Sequence, residues 1–343
     1  MKKLFLLSIL FVLTLRVTSQ VPLSVMEGEP TIVYALPKTE LCIQVETEKT
    51  ILKPGMFYRY SERYLATNKV ITEEKTNYRL KSIQVVPKAI PDPARTYSYT
   101  PAGNLHISLT INGIICGVNV TSEIQPETSK PILLPAKETS KPEALLPLGE
   151  EYMMAGSEAK LAEGAAKQIY RIRESRLGLL TSDVEKLPAD GDSFKSMLEG
   201  LNKLERELTE LFVGKTITET QTQTLYLTPS NAIANDVLFR LSALKGLVNN
   251  DDLSGVPYYI SIKPLDTNKA GAEHKTKKQK AGICYVLPAS TLVTIGDGVN
   301  TLLSEQFYIP QFGTLIPISE SILKQPGVKI HIDTQTGRLL RVE

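Results

Sequence analysis

The amino-acid sequence predicts an α+β protein, with a β-rich, sandwich-like unit at either end and a central antiparallel helical hairpin. Three observations carry that reading. Residues 31–120 and 215–342 are short β-branched and aromatic runs separated by turn residues, the period-two pattern of half-buried strands. Between them, Ala155, Ala159, Ala162, Ala166 and Ile169, and then Phe194, Met197, Leu201, Leu204, Leu208 and Leu211, recur every three or four residues, which places each set on one face of a helix. Residues 126–148 are Pro-rich and repeat Glu-Thr-Ser-Lys-Pro at 127–131 and 138–142, a composition that buries too little apolar area to offset its ordering entropy. The expected division is a signal peptide over 1–19, a β-rich domain over 20–125, a linker or loop over 126–148, the helical hairpin over 149–213 and a second β-rich domain over 214–343.

The first element is the leader. Lys2 and Lys3 precede an apolar run from Leu4 to Leu15, and Val17, Thr18 and Ser19 follow; this is the layout of a cleavable secretory signal, with cleavage expected after Ser19. A run of about 12 apolar residues is shorter than the roughly 20 that span a bilayer as a helix. No later stretch is longer, so the chain is not expected to span a membrane, and no cysteine follows the cleavage point to carry a lipid. Removing Lys2, Lys3 and Arg16 from 39 basic residues against 37 acidic ones leaves a net charge of −1. A near-neutral chain lacks the clustered positive charge that nucleic-acid binding requires. Cys42, Cys116 and Cys284 each sit in an apolar run, which reads as buried structural thiols; if a bridge forms, Cys42 with Cys116 is the first candidate.

The N-terminal β pattern contains Ile32 to Leu36, a turn at Lys53-Pro54-Gly55, and Ile107 to Ile111 before Asn112-Gly113, a hairpin signal. Pro91 and Pro93 suit an edge or a loop. The helices follow, separated by Leu187-Pro188-Ala189-Asp190-Gly191-Asp192-Ser193, which supplies a break and then Asp or Ser as the N-cap of the second. Its small alanines let the first helix approach the second closely. After Gly214 come the alternating, threonine-rich 215–227, the compact 258–262, and a final hairpin turning at Thr334-Gln335-Thr336-Gly337. Leu238 to Leu247 fits a strand or a helix. Tyr34-Ala35-Leu36-Pro37 and Leu41 are echoed by Tyr285-Val286-Leu287-Pro288 and Leu292, so the two β ends are either related or alike by chance.

Catalytic vocabulary is sparse. His106, His274 and His331 are far apart in sequence, and there is no His-Glu-x-x-His, Cys-x-x-Cys, EF-hand loop, Gly-x-Ser-x-Gly elbow or phosphate-binding loop, so no metal, cofactor or catalytic residue is assigned. Paired acids remain as an option, because a glycosidase needs only two carboxylates brought together by folding. Asp190 with Asp192, Asp251 with Asp252, and Asp297 between two glycines are the candidates, all in sequence where aspartate is expected as a turn residue. There is no tryptophan, and a sugar would have to stack on tyrosines such as Tyr152 or Tyr170. The basic run 274–280 reads as a solvated loop. Arg171, Arg173, Glu174 and Arg176 crowd the end of the first helix, where cations suit the macrodipole; they are the expected inter-domain or partner contact.

The segments Met154-Ala155-Gly156-Ser157-Glu158-Ala159-Lys160 and 165–176, with Lys53-Pro54-Gly55, Glu62-Arg63-Tyr64-Leu65, Ile90-Pro91-Asp92-Pro93 and Asp251-Asp252-Leu253-Ser254-Gly255, resemble a family of secreted bacterial proteins catalogued as domain of unknown function 4831. The resemblance implies a Gram-negative envelope or secreted setting and carries no activity or site residues. The expectation is a non-catalytic exported protein, periplasmic, cell-surface or extracellular, that binds or scaffolds another envelope protein or a glycan. The alternative is a carboxylate-based hydrolase acting on a glycan or peptide, and a third possibility is small-ligand capture between the β units.

Overall fold

The computed structural model describes residues 31–100, 105–120, 150, 154, 156–181, 191–266 and 282–343. The expected leader, the 126–148 linker, Tyr152, Asp190 and the basic run 274–280 lie outside the described residues. The protein is β-rich, with antiparallel sheets and few helices.

The first sheet has the order β2 (Lys75–Tyr99), β1 (Ile32–Lys53), β5 (Lys215–Leu227). The second runs β10 (Thr301–Pro317), β9 (Cys284–Gly296), β8 (Val256–Pro264), β6 (Ile233–Ser242), β7 (Gly246–Val248). The third runs β12 (Leu339–Val342), β11 (Ile330–Ile332), β4 (Ile115–Val118), β3 (Ile107–Leu109). Strands therefore do not sort by their place in the chain. β1 pairs with β2 on one side and β5 on the other, and β4 pairs with β11, so the first and third sheets each draw on both sides of the expected 126–213 divide. An alternating pattern determines which face of a strand is buried and leaves its neighbour open. The ambiguous 238–247 segment is the end of β6 and the start of β7.

β1 is the spine. Its 22 residues alternate buried and half-buried positions along their middle, and they serve two cores in turn. Tyr34 and Leu36 pack with Ile107, Ile115, Val118, Ile283, Val286 and Ile330 in a core beneath the third sheet. Leu41, Ile43 and Val45 pack with Ile260, Ile262, Val293 and Ile295 in a core between the first and second sheets. The crossing falls at an irregularity: Ala35 pairs with Thr96 and Pro37 with Pro91, so the four residues 92–95 of β2 stand opposite Leu36 alone. β9 and β10 repeat this device. Leu287 pairs with Thr314 and Ala289 with Ile309, which leaves 310–313 opposite Pro288. Such bulges bend a strand and re-aim its side chains. Both long strands are also pinned at the start in the same way, Ala35 N–H to the Gly113 carbonyl (2.9 Å) and Val286 N–H to the Gly337 carbonyl (2.8 Å). These glycines sit at φ 82° and 70° in the turns of the short hairpins β3–β4 and β11–β12, in the left-handed region that glycine adopts without strain. The echo between Tyr34-Ala35-Leu36-Pro37 and Tyr285-Val286-Leu287-Pro288 thus marks a repeated arrangement, although the residue facing the bulge is one place later in β9.

The two bulges hold each other. Arg95, in the first, donates from Nη1 to the Pro310 carbonyl (2.9 Å) and from Nη2 to the Gln311 carbonyl (3.1 Å) in the second. Gln311 answers across the junction, its Oε1 accepting from Thr39 N–H and its Nε2 donating to Thr39 O, both at 2.8 Å, and to Pro229 O at 3.1 Å. Asp92, 7% exposed, accepts from Ala94 N–H and lies 3.8 Å from Arg95. Backbone groups freed by the bulges are thereby satisfied by side chains.

The chain between β1 and β2 forms a 3-10 turn (Tyr58–Tyr60) and helix α1 (Ser61–Leu65), which dock on two long helices, α2 (Glu158–Thr181) and α3 (Gly191–Val213). Ala162, Ala165, Ala166, Ile169 and Ile172 of α2 face Leu208 and Phe212 of α3 with Phe57 between them, all buried. α3 begins at Gly191, so Asp192 and Ser193 lie inside its first turn, and Asp190, which precedes it, lies outside the described residues. A short helix α4 (Glu320–Leu323) closes the core under the third sheet.

Phe212→Ala should cost about 3–5 kcal/mol, the range for emptying an aromatic from a closed core, read as a lower midpoint in urea. Gln311→Ala removes three hydrogen bonds at a half-buried junction and should cost about 1–3 kcal/mol. An unchanged midpoint for Gln311→Ala would show that the strands alone hold the bend.

Candidate functional site

The structure gives most of the residues singled out above local structural duties. Arg173 Nε meets Glu205 Oε1 at 2.7 Å, and Arg176 bonds Glu205 and the Asn202 side chain, so two of the clustered arginines tie α2 to α3 while Arg171 and Glu174 face solvent. Tyr170 donates to the Tyr64 carbonyl at 2.8 Å, under Arg173. His106 is exposed and its backbone pairs with Asn119; His331 is half-buried in β11 opposite Gly117. Among the described residues no three His, Cys, Asp or Glu side chains gather as metal ligands. All three cysteines are free. The bridge weighed between Cys42 and Cys116 is not formed, because the two lie in different sheets. The thiols are half-buried, and desolvation pushes each pKa up, which keeps them protonated and poorly nucleophilic.

The candidate acids act as turn formers. Asp252 accepts from Ser254 N–H (2.9 Å) and pairs with Lys245 Nζ (3.0 Å); the Ser254 bonds first, and then Lys245, hold its carboxyl down to about 2. Arg240 closes the same β7–β8 loop by donating to the carbonyls of Asn250 and Gly255. Asp251 beside it is exposed. Asp297 accepts from the amides of Val299 (2.8 Å) and Asn300 (2.7 Å), and these bonds, that of Asn300 foremost, lower its pKa. A carboxyl held ionised in this way cannot serve as a general acid near neutral pH.

A shallow concave feature lies on the outer face of the second sheet. The Asp297 turn, with Gly298 at φ 91°, folds over β8 so that a side chain at Gly298 would stand 3.3 Å from the Tyr259 ring. Tyr259 lies opposite Gly296, and Ser261 opposite Thr294. Asn235, at φ 59°, sits in a break of the β6–β8 pairing, where its amide donates to Ser261 Oγ at 3.0 Å. With Asn300 and Thr301 these groups line a cleft of about 170 Å³, smaller than the roughly 300–1,000 Å³ of a site that engulfs a small molecule. Its polar groups are amides, hydroxyls and one phenol, and no carboxylate, imidazole, thiol or ammonium belongs to the lining. Such a lining offers uncharged hydrogen-bonding groups beside an aromatic face. Asp297 was visible in the sequence as a turn residue. Asn235, Tyr259 and Ser261 were not, because no motif joins them and only the strand order brings them together.

Residues 30–340 match the family described as a domain of unknown function, DUF4831. The chain belongs to that family. The DUF4831 match runs from before β1 into β12 and takes in every described helix. No curated protein and no solved structure matches the chain. No described helix is long and apolar enough to cross a membrane. The DUF4831 segments singled out in the sequence occupy joints. Gly55 admits the Leu211 carbonyl within 2.4 Å of where a side chain would start, which lets Phe57 N–H reach that carbonyl at 2.7 Å; Ile90 to Pro93 enters the first bulge, and Asp251 to Gly255 forms the Arg240 loop.

The turn carboxylates set an acid-side pH dependence. The folded pKa of Asp252 lies below its unfolded one, so its contribution is present above about pH 4 and is lost as pH falls through about 2; that of Asp297 is lowered too and acts in the same direction. Denaturation midpoints measured from pH 5 to about 2 should fall for the native chain and fall less steeply for Asp252→Asn. Equal slopes would mean that the Ser254 bonds are not kept in solution.

Proposed function

We propose that the protein is exported and works by binding, as an envelope component that holds a neutral polar segment of a glycan or of another envelope protein in the cleft beneath the Asp297 turn. The observation that carries this reading is the lining itself: Tyr259 flanked by Asn235, Ser261, Thr294 and Asn300 without an ionisable acid or base. Hydrolysis by paired carboxylates needs two acids facing a common space, whereas Asp297, which adjoins the cleft, is turned back on its own amides. Export is supported by Lys2, Lys3 and the apolar run to Leu15. In this reading α2 and α3 form an antiparallel hairpin, as Arg173 facing Glu205 and Arg176 facing Asn202 imply, and the hairpin is a spacer at one end of the β1–β2 ribbon, away from the cleft.

A photo-crosslinking residue at Thr301, on the cleft rim, should capture one defined glycan or envelope protein in intact cells, and Tyr259→Ala with Asn300→Ala should abolish the adduct. The same probe at Lys195, on exposed α3, should give none. Turnover of a glycan or peptide by the purified chain that persists in Tyr259→Ala would instead favour a hydrolase centred elsewhere.

A further inference from the structure

Among the described residues β5 is an unpaired edge of the first sheet, and it differs from the other edges. β2, at the opposite side, carries Pro87, Pro91 and Pro93 with Lys75, Lys81 and Lys88; β10 carries Pro310 and Pro317; β3, β7 and β12 are three or four residues long. Proline, charge and shortness are the usual means by which an edge avoids pairing with another chain. β5 has 13 residues, no proline and no glycine, and after Glu219 no charge. Thr218 to Gln223 are all exposed.

Its sequence is also nearly the same in both directions. From Ile217 to Leu225 it reads Ile-Thr-Glu-Thr-Gln-Thr-Gln-Thr-Leu. An antiparallel pair of two such strands about a two-fold axis at Gln221 sets Thr220 against Thr222, Thr218 against Thr224 and Ile217 against Leu225. Glu219 then faces Gln223, an acceptor opposite a donor, and no like charges meet. Moving the axis to Thr220 would put Ile217 opposite Gln223; moving it to Thr222 would put Glu219 opposite Leu225. Hydroxyl pairs and apolar pairs directly across a ladder are the favourable ones. The strand is already held in shape, because Lys49 pairs with Glu219 at 3.6 Å and Lys81 reaches over to Thr220 at 3.3 Å.

We propose that β5 pairs with β5 of a second copy of this chain, antiparallel about Gln221, joining two three-stranded sheets into one of six. A symmetric interface must be complementary to itself, and the near-palindrome supplies that requirement at every position from 217 to 225. Eleven facing residues, from Thr216 to Tyr226, would form about ten backbone hydrogen bonds, since alternate facing pairs exchange two each.

The test is the mass of the purified full chain in solution by sedimentation equilibrium at about 100 µM, a hundredfold above a micromolar Kd. Two copies are expected, with Thr220→Lys and Thr222→Lys together weakening association at least tenfold while leaving the far-ultraviolet circular dichroism spectrum that of the native chain. Gln221→Cys should be joined to its own copy by a short bismaleimide, and Leu253→Cys, on the distant β7–β8 loop, should not; this arm decides if the lysine variant fails to fold. A single-copy mass for the native chain overturns the proposal. So does a dimer that persists in the lysine variant and leaves Gln221→Cys unlinked, which would place the contact on another surface.

Discussion

Arg95 and Gln311 meet where two long β-ribbons bend, and much of the architecture depends on that contact. β1 and β9 must each leave one hydrophobic core and enter another. A regular strand cannot do so, because its side chains alternate strictly between two faces. The bulges at 92–95 and 310–313 break the alternation at the crossing point, but each frees several backbone groups that water reaches poorly. The Arg95 guanidinium takes up the Pro310 and Gln311 carbonyls of the second bulge, and the Gln311 carboxamide reaches back to the backbone of Thr39 in β1 and to the Pro229 carbonyl. A planar fork and a primary amide suit the task, since both present more than one polar group to carbonyls lying side by side.

The same logic places the other short segments that set this sequence apart. Gly55 lets β1 run under Leu211 without a side chain between them. Ser61, 1% exposed, brings its hydroxyl to 2.9 Å from the Phe212 carbonyl at the end of α3, where the last carbonyls of a helix have no partner within it. Tyr64 and Tyr170 exchange polar contacts between α1 and α2. These are positions where one element stops and another begins, and a sheet cannot supply its usual ladder there. Side-chain identity is constrained at such joints in a way it is not along the exposed face of α3.

Individual elements were largely legible in the sequence. Residues 215–227 alternate strictly and form a strand; the alanine stripe of 155–169 continues into α2; Asn112-Gly113 and Thr336-Gly337 turn short hairpins. What could not be read was adjacency. Nothing in 215–227 says that its neighbour is β1, some 170 residues earlier, and so two β units seemed to follow from two β-rich stretches. The echo of Tyr34 to Pro37 in Tyr285 to Pro288 was the one hint that the ends share a plan, and letter matching missed that the residue facing the bulge differs by one. The cleft was illegible for the same reason. A strand break exposes Asn235, a glycine opens the face of Tyr259, and neither leaves a mark that distinguishes it from ordinary strand sequence. The aspartates were easier, because aspartate before small residues is a turn signal in its own right.

β1 precedes its partners in the chain, and most of them follow at long range. β2 closes one side early, but β5 arrives only after both long helices, and β9 and β11, which complete the two cores that β1 serves, come after that. Contacts of such long range are paid for in loop closure before they return any stability, which makes folding slow. An early fragment would carry Ile43 and Val45 with nothing to cover them and the whole far side of β1 unpaired. The nascent chain therefore gains little by collapsing ahead of its own completion. The core under the third sheet can close only once β11 has been delivered.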